Sequence, residues 1–253
     1  MHLRRTSPSA SAAGMFLLKL TNQAVDMIVL VALMGVLVFG VWSIWDDNQI
    51  YREADTSRYQ MYKPGNTDSP FSFEDLVKLN PDVCGWLTIY DTGIDAPLVQ
   101  GENNDEYLNT SVDGTFALSG SIFLDAANAN DFSDFNTIIY GHHMEKGKMF
   151  GDLDKFNNES YFQDHEYGSL YDGSVTHKLQ VIAMVNTDAY DSKLYREPIT
   201  DAAEQTDYVH YIKDKAVFTR NIEEVKPGDH ILMLSTCATL TDGRYVLFAR
   251  MLS

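Results

Sequence analysis

Ile231-Leu-Met-Leu-Ser-Thr-Cys237, followed by Gly243-Arg244-Tyr-Val-Leu-Phe-Ala249, is the stretch that decides the reading of this chain. The first run is apolar and ends on a cysteine; a short polar loop follows, and the return run opens on an arginine. Side chains alternate faces along a strand, and a short loop brings the facing ends of a hairpin together. Cys237 and Arg244 are therefore expected side by side at one rim of a sheet. A thiol beside a fixed positive charge is suited to nucleophilic attack on a carbonyl. A cysteine closing an apolar strand is equally well read as a small buried hydrophobe, the commoner fate of a free cysteine. Both readings stand on this stretch alone.

Working outward, seven other runs carry the strand signature, rich in Val, Ile, Leu, Tyr and Thr and bounded by Gly, Asn, Asp and Ser clusters. They are Gly85–Tyr90, Ala96–Gln100, Gly120–Leu124, Asn136–Tyr140, Ser169–Asp172, His177–Thr187 and the return run Arg244–Met251, with Asp229–Thr236 as the eighth strand of the set. Helical spacing is expected over Asn48–Tyr62, Phe73–Leu79, Asp105–Leu108, Met149–Phe156 and, longest, Thr200–Lys213 between the sixth and seventh strands. Ser72 and Asp75 supply a capping pair for the second of these, and Pro81 closes it. Eight short strands with scattered helices predict a mostly β fold, a closed or nearly closed barrel.

Near the amino terminus, Met27–Ile44 runs 18 residues without a charge, the lower length for a membrane span. Arg4, Arg5 and Lys19 precede it and Asp46 and Asp47 follow, which predicts a cytoplasmic amino terminus and an external remainder. A cleaved signal peptide competes, but the run exceeds the usual ~7–15-residue core and no small-x-small site follows it. The expected organisation is a cytoplasmic tail over 1–26, an anchor over 27–45, an extracellular helix and linker over 46–71, and a catalytic domain over 72–253. The chain carries 19 Lys and Arg against 36 Asp and Glu; three of the former and one of the latter lie in the first 45 residues, leaving 16 against 35, a formal charge of −19. Such a surface argues against nucleic acid or anionic lipid as a partner. Of the two cysteines, Cys84 enters an apolar strand and reads as inert; a Cys84–Cys237 disulfide is the less favoured alternative.

A cysteine nucleophile needs an acid–base partner, usually histidine. His2 precedes the anchor. His230 is seven residues from Cys237, an odd spacing that puts them on opposite strand faces. His165, His177 and His210 sit in polar or helical surroundings and are expected to face solvent. His142 and His143 follow Asn136-Thr-Ile-Ile-Tyr-Gly141, a strand closed by glycine, and so emerge at a sheet rim; taken alone, the pair is also consistent with a surface loop.

Leu234-Ser-Thr-Cys237, Tyr140-Gly-His-His-Met144 with Met149-Phe150 beyond it, and Gly243-Arg244 together resemble the sortases, and the class B branch in particular. Asn80-Pro-Asp-Val-Cys-Gly-Trp-Leu-Thr-Ile89, Ser119-Gly-Ser-Ile-Phe-Leu-Asp125 and the Thr200–Lys213 insertion share the resemblance, which covers Phe73 to the end. Met233 departs from it, since threonine is common there. The resemblance implies a closed eight-stranded sortase-type barrel with peripheral helices. It implies Cys237 as nucleophile, His142 as the histidine directly after the glycine, and Arg244 as the third member, with Arg250 a rival six residues further along. It further implies a transpeptidase that cleaves a carboxyl-terminal sorting motif after threonine through a thioester. The acceptor would be an amine of a peptidoglycan precursor such as lipid II, or a pilin lysine. No cofactor or metal is implied. Ser235, Thr236, Tyr190 and Tyr195 are the expected substrate-wall residues. A secreted cysteine peptidase and a membrane-tethered adhesion domain are the competing readings; the first would pair its histidine with Asn or Asp rather than a strand-borne arginine.

Overall fold

The computed structural model describes residues 12–196, 198–237 and 242–252. It divides into two compact units, residues 1–49 and 50–253. The first is dominated by α1 (Ala12–Glu53), whose described portion is exposed along the charge-free stretch; by length and composition it is able to cross a membrane.

In the second unit the strands are β1 (Val83–Ile89), β2 (Asp95–Val99), β3 (Phe123–Leu124), β4 (Asn136–Tyr140), β5 (Tyr167–Tyr171), β6 (Thr176–Asp188), β7 (Ala216–Thr219), β8 (Ile231–Cys237) and β9 (Gly243–Leu252). Their order is β5-β1-β2-β3-β4-β8-β9-β6-β7, and a further β5–β6 pairing closes the first eight into a barrel. β7 stays outside the closure as an extra strand on the edge of β6. Two neighbour pairs are parallel, β2–β3 and β4–β8; the rest are antiparallel. β4 and β8 are central and buried on both faces, which is why Ile138-Ile139 and Ile231-Leu-Met-Leu234 read as unbroken apolar runs.

Alternation then sorts the side chains. Leu87, Leu98, Leu124, Ile139, Leu232, Leu234 and Leu247 fill the lumen together with Phe150, Leu153 and Phe156 from the segment after β4. Ile138, Met233, Val246 and Phe248 look outward and are covered by Tyr208, Val209 and Ile212 of α4 (Ala202–Lys215). On another flank, Leu76 of α2 (Phe73–Leu79) packs with Val83, Trp86, Tyr107 and Phe123. The remaining α-helix, α3 (Glu159–Asp164), precedes β5.

The eight-stranded barrel and the helix after the sixth strand match expectation; several local details differ. The segment expected as one helix over Asn48–Tyr62 is the end of α1 followed by a 3₁₀ helix at Thr56–Tyr62, broken where Asp55 takes extended backbone and caps Ser57. The Met149–Phe156 and Asp105–Leu108 segments are 3₁₀ turns, Gly151–Asn157 and Glu106–Leu108. The sequence does not mark β7 because its four residues alternate between half-buried and exposed with none in the core, and no turn signal separates them from α4.

Candidate active site

The topology gathers four strand ends at one rim. β4 and β8 run parallel, so Tyr140 pairs with Ser235 and both strands finish together. β9 returns antiparallel, pairing Arg244 with Cys237, and on its other side Thr187 near the end of β6 also pairs with Arg244. Residues 238–241, most of the loop expected between Cys237 and Gly243, lie outside the described residues, as does the Cys237 side chain.

His142 stands two residues past β4. Gly141 donates its N–H to the Ser235 carbonyl at 3.3 Å, continuing the β4–β8 ladder, and the Phe150 N–H returns to the His142 carbonyl at 3.0 Å. Gly141 must be glycine because a Cβ there would stand 2.8 Å from the Phe150 ring. The half-buried His142 ring places Nε2 2.8 Å from the Leu108 carbonyl oxygen. His143 points elsewhere: its Nε2 lies 3.3 Å from an Asp154 carboxylate oxygen, and its ring is 6.2 Å from that of Tyr245. Tyr245 belongs to the odd, lumen-side positions of β9, whereas Arg244 falls on the even positions with Val246 and Phe248. The two neighbouring histidines are thus assigned to different surroundings.

Arg244 is half-buried, donates from Nη1 to the Gly243 carbonyl at 3.0 Å, and has no carboxylate within ion-pair distance among the described residues. Its rival Arg250 pairs with Ile231 at the far end of β8. There it bonds Glu224 at 3.2 Å, with Asp229 at 3.9 Å. A guanidinium already held by two carboxylates is poorly placed to receive a substrate.

The expected wall residues separate. Tyr195 shares a hydrogen bond of 2.7 Å with the Ser235 hydroxyl and stacks on Tyr140 at 6.4 Å and 7°. Tyr140 in turn donates to Asp125 at 3.0 Å. Thr236 does not join them. Adjacent strand residues face opposite ways, so its hydroxyl is buried on the other side, without a partner among the described residues. Tyr190 is 78 % exposed at the loop's outer edge. The loop that carries Tyr190 and Tyr195 is pinned by Asp191, which accepts from Thr187 at 2.9 Å and from Tyr211 at 3.1 Å. Burial opposes ionisation of Asp191, but these bonds and the Leu194 N–H outweigh it and hold the carboxyl below its usual value. Tyr140 enters the sequence reading only as part of the histidine block; a tyrosine ending a buried strand beside a glycine is the signal that could have found it.

Among the other histidines, His165 differs from expectation. It is half-buried, stacks on Tyr161 at 3.7 Å, and its two ring nitrogens meet the carbonyls of Tyr161 and Asp91 at 2.8 and 3.2 Å. His177 pairs with Asp172 at 2.7 Å.

Cys84 is a free thiol whose sulfur lies 3.7 Å from the Leu98 carbonyl, and burial pushes it up to about 12. A thiol so far from ionisation is a poor nucleophile. Iodoacetamide at pH 8 should leave Cys84 unmodified in the folded protein and label it once urea unfolds the barrel, as peptide mapping will report. Equal labelling in both states would contradict the suppressed ionisation of this thiol in the fold. Among the described residues no group of three His, Cys, Asp or Glu side chains is arranged to hold a metal ion.

A rim carrying a cysteine paired to an arginine, with a glycine–histidine strand end alongside, can be compared with known proteins. The sortase domain family model matches residues 87–252. Sortase B of Listeria monocytogenes is 38% identical over 182 residues, which cover 71% of this chain and 73% of that protein. The crystal structure of sortase B from the type II pilus of Streptococcus pneumoniae is 41% identical, with a TM-score of 0.62 over 71% of this chain and 98% of that one. A Streptococcus pyogenes class B sortase involved in pilus biogenesis is 39% identical, with a TM-score of 0.64 over 71% of this chain and 97% of the other. Barrel and relatives agree, and the chain belongs to the class B branch of the sortase family, as a sortase-type cysteine transpeptidase.

Proposed function

We propose that this chain is a membrane-anchored extracellular transpeptidase that cleaves a carboxyl-terminal sorting motif of secreted proteins after threonine and passes the acyl group to an amine. The observation that carries the proposal is the pairing of Cys237 with Arg244 at the rim where β4 delivers His142. The Cys237 sulfur attacks the threonine carbonyl, forming a C–S bond. The scissile C–N bond breaks as His142 gives a proton to the departing amine, leaving a thioester. An acceptor amine then attacks the thioester carbonyl, the C–S bond breaks, His142 takes the amine's surplus proton, and the thiolate is restored. Arg244 donates to the carbonyl oxygen as negative charge develops there, an effect on the order of 3 kcal/mol for one such donor.

The α1 helix, with Arg4, Arg5 and Lys19 before its apolar stretch and Asp46 and Asp47 after it, supports anchoring with the amino terminus inside. Residues 1–26, 27–45, 46–71 and 72–253 then serve as tail, anchor, linker and catalytic domain. The Tyr140–Tyr195–Ser235 cluster forms one wall of the substrate groove, with Tyr190 at its entrance.

The acceptor is a peptidoglycan-precursor amine in the primary reading. A pilin lysine is the second, favoured by the pilus association of the pneumococcal and S. pyogenes relatives. Incubating the full-length protein with a library of sorting peptides, and with either a wall-precursor peptide amine or a lysine-bearing pilin-like domain, tests both by mass spectrometry. A product joined to the wall peptide supports the first and one joined to lysine the second. Release of free acid alone in the presence of both amines would mean a peptidase. In the same assay His142→Ala should lose about 10²–10⁴-fold in kcat, while His143→Ala, removed from the Arg244 face, should stay within a few-fold. The reverse pattern would reassign the histidine.

A further inference from the structure

His142 has no carboxylate or side-chain amide holding its ring among the described residues; its ring partner is a backbone carbonyl, that of Leu108, 2.8 Å from Nε2. A carbonyl only accepts, so Nε2 carries the hydrogen. In the neutral ring this leaves Nδ1 bare, and it is the one ring atom left to take or give a proton. The carboxylate–histidine pair that ordinarily marks a catalytic histidine is present next door, at His143 and Asp154, on the ring that does not accompany Arg244.

The carbonyl is held firmly. Leu108 ends the 3₁₀ turn Glu106–Leu108, where a helical segment leaves its last carbonyls without internal partners. The turn is fixed through Tyr107, 3% exposed, whose hydroxyl donates to Asp82 at 2.8 Å and accepts from Asn80 at 2.8 Å. The Ser121 N–H binds the Tyr107 carbonyl at 3.0 Å. Behind it sits Gly120, at φ +57°, so close that a Cβ there would stand 2.5 Å from the Leu108 oxygen and 2.6 Å from that of Tyr107. The left-handed backbone and the missing side chain together let the strand entry pass behind the carbonyl.

We infer that the Leu108 carbonyl is the orienting group of His142: it fixes the Nε2–H form of the ring and thereby makes Nδ1 the atom through which the proton passes. Leu108 is a positioning residue, acting through its backbone, and Asn80, Asp82, Tyr107 and Gly120 are the parts that hold the carbonyl in place. During acylation Nδ1 would take the thiol proton and return it to the departing amine, while the Nε2 hydrogen stays on Leu108 throughout. This rests on His142 being the acid of the proposed reaction, but the ring form itself can be read without substrate.

The test is ¹⁵N NMR of the full-length protein in lipid nanodiscs, with ring-labelled histidine and His142→Gln to assign the signal. At a pH above the ring's titration, Nε2 should appear in the protonated, pyrrole-like range and Nδ1 in the bare, pyridine-like range. An Nδ1–H ring, or an averaged mixture, would overturn the inference even if the enzyme transpeptidates. A ring of the expected form on a protein that joins no peptide to any amine would instead overturn the functional proposal and leave the orientation standing. Gly120→Ala, which crowds the carbonyl, should mix the ring forms and lower kcat by about 10–100-fold, the range for loss of an orienting partner, with KM changed less than threefold. If that variant does not fold, Tyr107→Phe serves, with the same changes in the same direction but smaller. Either folded variant keeping the wild-type ring form and kcat would contradict the role assigned to the 106–108 turn.

Discussion

Replacing Cys237 with alanine is expected to abolish both cleavage and amine transfer of a sorting peptide, a loss of about 10⁴–10⁶-fold in kcat, as when a covalent nucleophile is removed from a hydrolytic site. The physical reason is that, among the described residues, no second group at this rim is free to form the acyl intermediate. Ser235, two residues back on β8, is 1% exposed and already shares its hydroxyl with Tyr195. The other cysteine is half-buried, and desolvation pushes its thiol up to about 12, far from nucleophilic. The variant should fold normally, since Cys237 ends its strand, and the main-chain pairing with Arg244 does not depend on the sulfur. A steady-state assay with a quenched sorting peptide and an amine acceptor reads the loss. Full activity in Cys237→Ala would remove the cysteine from the mechanism.

The second large effect is expected at Arg244. Arg244→Lys should lower kcat by about 10²–10³-fold, with the smaller share in KM, because the planar fork that can donate two parallel hydrogen bonds is replaced by a single ammonium. The position supplies the reason. Arg244 is held between Cys237 on one side and Thr187 on the other, half-buried, with Nη1 donating to the neighbouring Gly243 carbonyl. Arg250 provides the control: fixed to Glu224 and near Asp229 six residues away, it should tolerate lysine with little change in kcat and a modest loss of stability. A near-normal rate for Arg244→Lys with a collapse at Arg250→Lys would move the role to the other end of β9.

Much of this was readable from the chain because it depends on alternation. The run Ile231–Cys237 and its return from Gly243 specify a hairpin whose register sets Cys237 against Arg244 and sends Arg250 to the opposite end, and the structure has that register. The same alternation separates Ser235 from Thr236, although the sequence placed both at the substrate wall. What could not be read depends on backbone groups or on distant segments. The Leu108 carbonyl carries no side-chain signature, and its approach to His142 spans 34 positions of chain. The stacking of Tyr140 on Tyr195 joins β4 to a loop beyond β6. β7 is not legible because Ala216-Val-Phe-Thr219 follows a helix directly with no turn signal, and its alternation of half-buried and exposed positions is not matched by an alternation of apolar and polar residues. The polar surroundings of His165 predict a solvent-facing ring, whereas its partners are two carbonyls, one of them 74 positions away.

The proposed acyl transfer is tested most directly by trapping its intermediate. The full-length protein is mixed briefly with a sorting peptide without an acceptor amine, quenched in acid, digested, and mapped by mass spectrometry. The expected result is a thioester adduct of the peptide's amino-terminal portion on Cys237, absent from Cys84, that disappears with formation of the joined product when an acceptor amine is added before the quench. An adduct on Cys84, or turnover of the peptide with no adduct on Cys237 at any time point, would contradict Cys237 as the acyl-carrying centre of this sortase.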